Sequence, residues 1–215
     1  MIGLFMAGDK AYHYYAQLMA ERYDLPLING GCPYEYTYFK EGFATIKPSF
    51  MRTGTIWDKV DIAKFFAKQA ILNPKFINMS IFDNLLAFKH YYLTVLDSVK
   101  LFRYITWDEK IVNETLINEY NWEIAPDSAT TWRIGDGTAS FYNYIYYTVA
   151  GFTENDCFRS NLINEGRLTR EKALELVNEE NKPRVEALRW YCDIIEVDLP
   201  KAVKAINNIP KLYNL

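Results

Sequence analysis

The first 30 residues constrain the fold most, because an apolar run, an amphipathic segment and a second apolar run follow one another. Met1–Ala7 is typical of a buried strand, and Asp9 is a good N-cap for a helix that continues to about Tyr23. Leu27 and Ile28 begin the second strand. A strand, a helix and a strand in this order form a parallel βαβ unit, which needs further strands and cover on both faces. The sequence therefore predicts part of an α/β domain.

A polar loop follows the second apolar run, just past the carboxyl end of the predicted strand. Gly30 and Gly31 come first, and both can adopt positive φ and let a ligand approach the backbone closely. The loop then carries Glu35, Thr37 and Lys40. Ligands of open α/β sheets bind at this position relative to the strands. The loop is therefore a candidate ligand site, and the alternative is a turn that only connects the strand to a helix.

A second polar group follows the first predicted strand. Asp9 and Lys10 lie just past it, and parallel strands would bring them to the same edge of the sheet as Glu35, Thr37 and Lys40. A carboxylate there could hold Mg²⁺, and a lysine could neutralise a phosphate. The alternative for both groups is helix capping and surface ion pairing, and an N-cap role alone accounts for Asp9.

The chain from Trp57 onward has helical periodicity and no further clear strand. No glycine occurs between Gly54 and Gly135, as expected for long helices with few sharp turns. One long helix is predicted from Ser80 through roughly Tyr104.

Residues that favour helix N-termini mark the other helix starts. They are Asp58, Asp108, Thr138, Thr153, Thr169, Pro183 and Asp198. The helix at Thr138 is very apolar and aromatic, so we expect it at the centre of the helical core. Gly166 is predicted to close the helix that begins at Thr153. Cys192 falls on an apolar stripe and is predicted to be a small core residue.

Net charge and the lengths of the apolar runs argue against several partners. The 24 basic and 27 acidic residues give a formal net charge of -3, which argues against a nucleic-acid partner. No apolar stretch approaches the roughly 18 residues that span a bilayer. The N-terminus lacks the basic region of a signal peptide.

Cys32, Cys157 and Cys192 are too far apart for a disulfide framework or a zinc site, so we expect reduced thiols in the cytoplasm.

Common catalytic motifs are absent from the sequence, which contains no G-x-S-x-G, H-E-x-x-H, G-x-G-x-x-G or Walker A loop. His13 and His90 lie within predicted helices beside tyrosines, which favours structural roles over catalysis. Cys32 lies between Gly31 and Pro33, which would expose it. No neighbour in the sequence would activate it as a nucleophile.

A third polar cluster, formed by Arg133, Asp136, Arg159 and Asn161, lies in the helical part of the chain. Surface ion pairs and caps explain most such residues, so the cluster alone does not indicate a function. The chain also has 17 Tyr, 13 Phe and 5 Trp. A tyrosine-rich interior can line a sugar, although buried tyrosines bonded to the backbone are the commoner case.

Two segments give the sequence a family resemblance. PYEYTYFKEGFATIKP at Pro33–Pro48 and GFTENDCFRSNLINEGRLTREKALEL at Gly151–Leu176 together resemble the C-terminal half of N-acetyl sugar amidotransferases. These enzymes belong to the PP-loop, or N-type ATP pyrophosphatase, superfamily. FMAGDK at Phe5–Lys10 and INGG at Ile28–Gly31 look like later strands of that family's nucleotide domain. The resemblance covers most of the chain.

The resemblance implies a fold and a domain division. It implies an α/β fold, with a partial parallel Rossmann-like sheet of the PP-loop (HUP) type followed by a predominantly helical C-terminal region. Residues 1–50 would be the C-terminal part of the nucleotide-binding domain. Residues 51–215 would be a helical domain for the substrate or a partner.

The resemblance also implies an ATP-dependent amidation in the synthesis of lipopolysaccharide O-antigen or a related surface polysaccharide. ATP, with Mg²⁺, would adenylylate the acetamido oxygen of a nucleotide-linked N-acetyl sugar and release pyrophosphate. Ammonia from a separate glutaminase subunit would displace AMP and leave an acetamidino group.

Each polar cluster has an implied role in that reaction, and no residue is assigned as a metal ligand. The implied catalytic residues are Glu35, Thr37 and Lys40. The implied cofactor-binding residues are Asp9, Lys10, Gly30 and Gly31. The implied substrate-binding residues are Arg133, Asp136 and Arg159.

One departure from the family pattern concerns the pyrophosphate loop. The diagnostic S-G-G-x-D-S motif does not occur in this sequence. We therefore expect a C-terminal fragment or one half of a split enzyme, with a separate N-terminal half as a partner. The alternative is a non-catalytic module that docks a partner subunit through its exposed sheet edge or binds a sugar through its tyrosines.

We predict little or no ATP turnover by this chain alone, because the loop that would hold the reacting phosphates is missing from it. The measurement is pyrophosphate release in the presence of ATP, magnesium and ammonia. Turnover clearly above a protein-free control would show that the prediction is wrong.

Overall fold

The structure, a computed structural model, describes residues 10–30, 56–95, 97–124 and 137–211, and these are mostly helical. Short 3₁₀ turns lie at Pro74–Phe76 and Leu101–Arg103. In chain order, the other described elements are α1 (Tyr12–Tyr23), β1 (Ile28–Asn29), α2 (Ile56–Leu72), α3 (Ser80–Phe88), a π-helix (Lys89–Leu93), β2 (Val99–Lys100), α4 (Glu109–Tyr120), α5 (Thr138–Ala150), α6 (Glu154–Asn164), α7 (Arg170–Glu180), α8 (Val185–Ile194) and α9 (Leu199–Asn207).

The described sheet consists of β1 and β2, which pair in parallel. Ile28 lies opposite Val99 and Asn29 opposite Lys100, and the Val99 amide donates to the Leu27 carbonyl at 2.9 Å. The predicted α/β class is therefore confirmed in a coarse form, as helices with a small parallel sheet. A Rossmann-like sheet of the PP-loop type remains a prediction. The predicted strand at Met1–Ala7 lies outside the described residues.

Two predictions about the segment after Ser80 are wrong. The long helix does not reach Tyr104, because α3 ends at Phe88 and the π-helix that follows ends at Leu93. A further strand does exist after β1, since Val99 and Lys100 form β2. Thr94 has extended backbone angles, with φ −115° and ψ 144°. Pairing with β1 here outweighs a local helical preference, which β-branched residues such as Val99 weaken in any case.

The chain divides into two compact units. The first, unit 1, comprises Met1–Gly31 and Tyr38–Ile105. In it, α1 packs against α3 and the π-helix. Among its described residues only Asn84 and Ala87 are buried.

The second, unit 2, comprises Cys32–Thr37 and Thr106–Leu215, and it holds most of the buried side chains. Helix α5 packs against α8 and α9, and α6 packs against α7. The buried side chains of α5 include Tyr146 and Val149, so its predicted place at the centre of the helical core is confirmed. Full burial of one such side chain contributes roughly 1.5–3 kcal/mol.

Most of the predicted helix starts in unit 2 are confirmed by side-chain caps. The capping residues are Asp108, Thr153, Thr169 and Asp198. Thr153 also forms a reciprocal capping box with Asp156. Gly166 follows α6 with φ 68°, as predicted for the residue that closes that helix.

Four predicted helix starts are wrong. Helix α8 begins at Val185 with Arg184 at its N-cap, two residues after the predicted start at Pro183. Gly137, with φ 77°, occupies the N-cap of α5 in place of Thr138, because that left-handed conformation strains any residue with a Cβ. Ala11 occupies the N-cap of α1, where Asp9 was predicted, and no side chain caps it. Helix α2 begins two residues before Asp58. The predicted domain boundary at residues 50 and 51 lies outside the described ranges and remains a prediction.

We predict that Gly137→Ala destabilises unit 2 more than Gly166→Ala does. Both glycines have left-handed φ, which costs a residue with a Cβ about 1–2 kcal/mol. Only at Gly137 would the new Cβ meet crowding, at 3.0 Å from Tyr191 Cβ and 3.1 Å from Trp190 Cε3, whereas nothing lies within 4 Å at Gly166. We expect losses of about 1 kcal/mol for Gly166→Ala and about 2–4 kcal/mol for Gly137→Ala, from urea unfolding followed by circular dichroism. Equal losses would contradict crowding as the cause of the difference.

Candidate functional site

A shallow pocket of about 180 Å³ lies along β1, within unit 1. Its lining consists of Tyr12 and Ala16 from α1, residues 27–30 around β1, and Ser98 just before β2. Tyr12 and Ala16 are four residues apart and share one face of the helix. The parallel pairing of β1 with β2 brings Ser98 beside Leu27, at the amino end of the ladder, whereas Gly30 lies just past the carboxyl end of β1. The pocket therefore shares Gly30 with the predicted ligand site, and Tyr12 and Ser98 are lining residues that the sequence did not indicate.

Gly30 lies in this pocket, and it does not use the positive φ that a glycine can adopt. Positive φ among the described glycines occurs at Gly137, Gly151 and Gly166. A Cβ built on Gly30 would have no heavy atom within 4 Å. The open space beside its backbone is therefore the feature available to a ligand. Gly31 lies outside the described residues.

Lys10 is placed on an aromatic ring and not among the residues that line the pocket. Its Nζ lies 3.9 Å from the centroid of the Tyr91 ring. A cation–π contact of this kind contributes about 0.5–1 kcal/mol at an exposed site. The predicted role of Lys10 in binding a cofactor remains a prediction.

Both histidines of the chain pack among tyrosines, between α1 and the π-helix. The His13 ring lies 4.7 Å from the Tyr91 ring in an edge-on contact, and the His90 ring lies 4.8 Å from the Tyr14 ring. His90 Nδ1 lies 3.1 Å from Gln17 Oε1. Because an amide oxygen only accepts, Nδ1 carries the proton in the neutral ring and Nε2 is the acceptor. These contacts favour the structural role that the sequence suggested. Within the described ranges, no three His, Cys, Asp or Glu side chains are grouped as a metal site.

Arg159, predicted to bind the substrate, is instead surrounded by carboxylates inside unit 2, where it is only 5% exposed. Its Nη1 donates to Glu109 Oε2 at 2.6 Å, and its Nε donates to Glu180 Oε2 at 3.1 Å. Its Nη2 donates to the second oxygen of each carboxylate. The guanidinium therefore joins α6 to the first residue of α4 and the last residue of α7, which favours a structural role. A direct contact with the substrate remains a prediction.

Burial and pairing act in opposite directions on these charges. Burial lowers the pKa of the Arg159 guanidinium, but its hydrogen bonds and charge interactions with Glu180 and Glu109 outweigh burial and raise that pKa above its ordinary value. Burial raises the pKa of the Glu180 carboxyl above its ordinary value, although the bond and charge of Arg159 oppose the rise. The cluster is therefore stable only while the guanidinium is present.

A network of neutral polar groups and one carboxylate joins the start of α6 to the end of α7. Asp156 Oδ2 accepts from the Thr153 amide at 2.8 Å and from Asn181 Nδ2 at 2.8 Å. Thr153 Oγ1 donates to Asn181 Oδ1 and also accepts from the Asn155 amide at 3.0 Å. These bonds give the backbone amides at the N-terminus of α6 acceptors within the protein, so they do not indicate an anion site.

The described cysteines are not candidate nucleophiles. Cys192 is fully buried, and burial, with a smaller contribution from the charge of Asp193, raises the pKa of its thiol. Its predicted place in the core is confirmed. Cys157 is half-buried.

Several predicted site residues lie outside the described residues. They are Asp9, Gly31, Cys32, Glu35, Thr37, Lys40, Arg133 and Asp136. Their predicted roles remain predictions.

Comparison with protein-family models, with curated proteins and with solved structures finds no match. In the part of the chain that the structure describes, every helix is too short or too polar to cross a membrane.

We predict that Arg159→Met lowers the free energy of unfolding by about 3–5 kcal/mol, because it leaves Glu109 and Glu180 without their buried cation. With the guanidinium gone, burial would hold the Glu180 carboxyl protonated in the folded state at a higher pH than in the unfolded chain, because its pKa is raised. The folded state then binds more protons, so stability increases as the pH falls. We therefore expect a loss that is largest at about pH 7 and shrinks at about pH 5.

The matched control is Lys172→Met, which breaks the exposed pair with Glu175 in the same unit. A surface pair contributes at most about 1 kcal/mol, so a much smaller loss is expected. Urea unfolding at both pH values gives the comparison. Equal losses for the two variants, or an Arg159→Met loss that grows in acid, would contradict the prediction.

Proposed function

We propose that this chain is part of an ATP-dependent amidotransferase that acts on a nucleotide-linked N-acetyl sugar. The observation that carries the proposal is the pocket along β1, whose lining includes Gly30 just past the carboxyl end of that strand. Ligands of parallel α/β sheets bind beyond the carboxyl ends of the strands. It coincides with the INGG segment at Ile28–Gly31, which is one of the segments that resemble the family. The product would carry an acetamidino group in place of the acetamido group.

In this proposal the described residues bind and orient the substrate. Tyr12, Asn29, Gly30 and Ser98 come from three separate segments and face one pocket. Holding a reactant in a fixed orientation can supply several kcal/mol of the barrier reduction. Glu35, Thr37 and Lys40 follow this pocket in the chain and remain the candidates for contact with the reacting groups.

ATP and Mg²⁺ do not fit the pocket as described. No lining residue carries a charged side chain, so the pocket offers neither a cation for the phosphates nor a carboxylate for the metal. The sequence also lacks the S-G-G-x-D-S loop. We therefore propose that a companion chain with that loop holds ATP and that a glutaminase subunit supplies ammonia. The widely spaced cysteines suit a cytoplasmic reaction.

A second candidate function is a non-catalytic module that docks a partner subunit. It is favoured by the apolar surface of unit 1, where Trp57, Ile71 and Met79 are each more than 70% exposed. Large exposed apolar side chains can contribute to a protein interaction surface where they form a contiguous patch. A reaction supplied with ATP, Mg²⁺, ammonia and a protein carrying S-G-G-x-D-S separates the two. Amidation of the sugar supports the enzyme, and binding without amidation supports the module.

We predict that UDP-N-acetylglucosamine binds to the wild-type chain and that Gly30→Val weakens this binding by about tenfold or more, equal to about 1.4 kcal/mol. The valine side chain would project into open space from a residue that lines the pocket, since no heavy atom lies within 4 Å of the new Cβ. The fold should therefore be kept, while a ligand that lies against Gly30 would meet the added side chain. Isothermal titration calorimetry measures the affinity, and circular dichroism checks the fold.

Gly30→Ala is the matched control, because its single methyl group leaves most of the pocket open. We expect its affinity to stay within about threefold of wild type, less than about 1 kcal/mol. The pocket is not the binding site if Gly30→Val binds as tightly as wild type, and the proposal fails if the nucleotide sugar does not bind at all.

A further inference from the structure

We propose that Asn29 is a deamidation site, at which the side-chain amide is converted to a carboxylate on the wall of the pocket along β1. The inference goes beyond the proposed function and does not depend on it, because the chemistry needs only the chain itself, water and a base. It concerns two adjacent residues, Asn29 and Gly30, both of which line that pocket.

The reaction begins when the backbone nitrogen of Gly30 attacks Cγ of Asn29 within the same chain, so the two reacting groups are already close together. A bond forms between these atoms, and a base takes the proton of the Gly30 amide. The bond from Cγ to Nδ2 breaks, and Nδ2 takes up a proton and leaves as ammonia. The product is a five-membered succinimide ring.

Water then opens the succinimide at one of its two carbonyl carbons. Cleavage of the bond between Cγ and the ring nitrogen gives aspartate with an ordinary backbone. Cleavage of the bond between the backbone carbonyl carbon and that nitrogen gives isoaspartate, in which the main chain runs through Cβ and Cγ. In both cases the amide and water have become a carboxylate and ammonia, and nothing is oxidised or reduced.

The sequence favours this attack at one asparagine. Asn29 is the only asparagine in the sequence that is followed by glycine. Glycine matters because a Cβ on the attacking residue would hinder the approach of its nitrogen and restrict its backbone angles. Every other asparagine that has a following residue precedes one with a Cβ, as Asn164 precedes Glu165.

The structure leaves the pair accessible. Gly30 is exposed, and no heavy atom lies within 4 Å of the position that a Cβ would occupy. Asn29 is half-buried and is the last residue of β1, so Gly30 lies past the strand. In the described sheet, Asn29 is held by its pairing with Lys100, and that pairing does not extend to Gly30. An exposed residue just past a short strand can adopt the bent backbone that the ring requires.

The two products would change the pocket wall in different ways. Aspartate keeps the backbone and adds a negative charge to a chain whose net charge is -3. Its carboxylate would arise opposite Lys100, and opposite charges attract. Isoaspartate lengthens the main chain by one carbon, which would disturb the pairing of residue 29 with Lys100.

The test follows one tryptic peptide of the full chain by mass spectrometry. Trypsin cuts after Arg22 and Lys40, and the peptide of residues 23–40 contains Asn29 as its one side-chain amide. Replacement of NH₂ by OH in this peptide therefore reports Asn29 alone. We expect the deamidated peptide to accumulate when the folded chain is incubated in mildly alkaline buffer, and more slowly in mildly acidic buffer, because a base must remove the amide proton.

The peptide of residues 160–167 is the internal control, since it contains Asn161 and Asn164 but no asparagine followed by glycine. We expect it to deamidate at least about tenfold more slowly than the peptide of residues 23–40. Equal rates for the two peptides would overturn the proposal.

Two variants test the mechanism. Gly30→Ala should slow deamidation at least about tenfold, because the added Cβ hinders the attack while open space around it spares the fold. Asn29→Gln should slow it at least as much, because the longer side chain would have to close a six-membered ring. A Gly30→Ala chain that deamidates as fast as wild type would contradict attack by the Gly30 nitrogen.

The same chain unfolded in urea shows what the fold contributes. We expect the folded chain to deamidate within about tenfold of the unfolded rate, because Gly30 lies outside the ladder. A folded chain in which deamidation is far slower than that, or absent, overturns the proposal. These outcomes are independent of the proposed function, which fails if the nucleotide sugar does not bind.

Discussion

One guanidinium, that of Arg159, determines how α4, α6 and α7 of unit 2 are joined. Its planar group donates to both oxygens of Glu109 and both oxygens of Glu180. Arginine suits this place because its fixed fork matches two carboxylates at once, which a lysine ammonium does not. Both glutamates lie at helix ends, so the bonds fix the ends of two helices against the middle of a third.

A structural feature could be predicted from the sequence when the residues that form it lie close together in the chain. The caps at Asp108, Thr153, Thr169 and Asp198 were predicted because each bond spans two or three residues. Strand β2 was missed because Val99 is ordered by a partner far away in the sequence. The Arg159 cluster was missed for the same reason. Its partners Glu109 and Glu180 are 50 and 21 residues away in the sequence, and each occupies a position like that of any other helix residue. The N-cap of α5 was predicted at Thr138 and lies at Gly137, because no sequence motif indicates the left-handed φ that favours a glycine there.

The candidate site could likewise be predicted only in part. A candidate ligand site after β1 could be proposed from strand direction alone, and the described pocket shares Gly30 with it. The lining of that pocket could not be predicted, because it depends on which side chains meet there. Tyr12 and Ser98 come from segments on either side of the strand in sequence, and Lys10 lies over the Tyr91 ring.

The two-residue length of β1 and β2 has a consequence for motion. A parallel ladder this short contributes few hydrogen bonds, and its residues Ile28 and Val99 are 65% and 48% exposed. The amides of such a ladder open with little free energy and exchange rapidly with solvent. Because the ladder carries two walls of the pocket, the empty pocket would open and close on its own, and an occupant would slow the exchange of the Val99 amide. Part of the intrinsic binding free energy would then be spent on ordering the walls, so the measured affinity would be lower than the contacts in the closed pocket suggest.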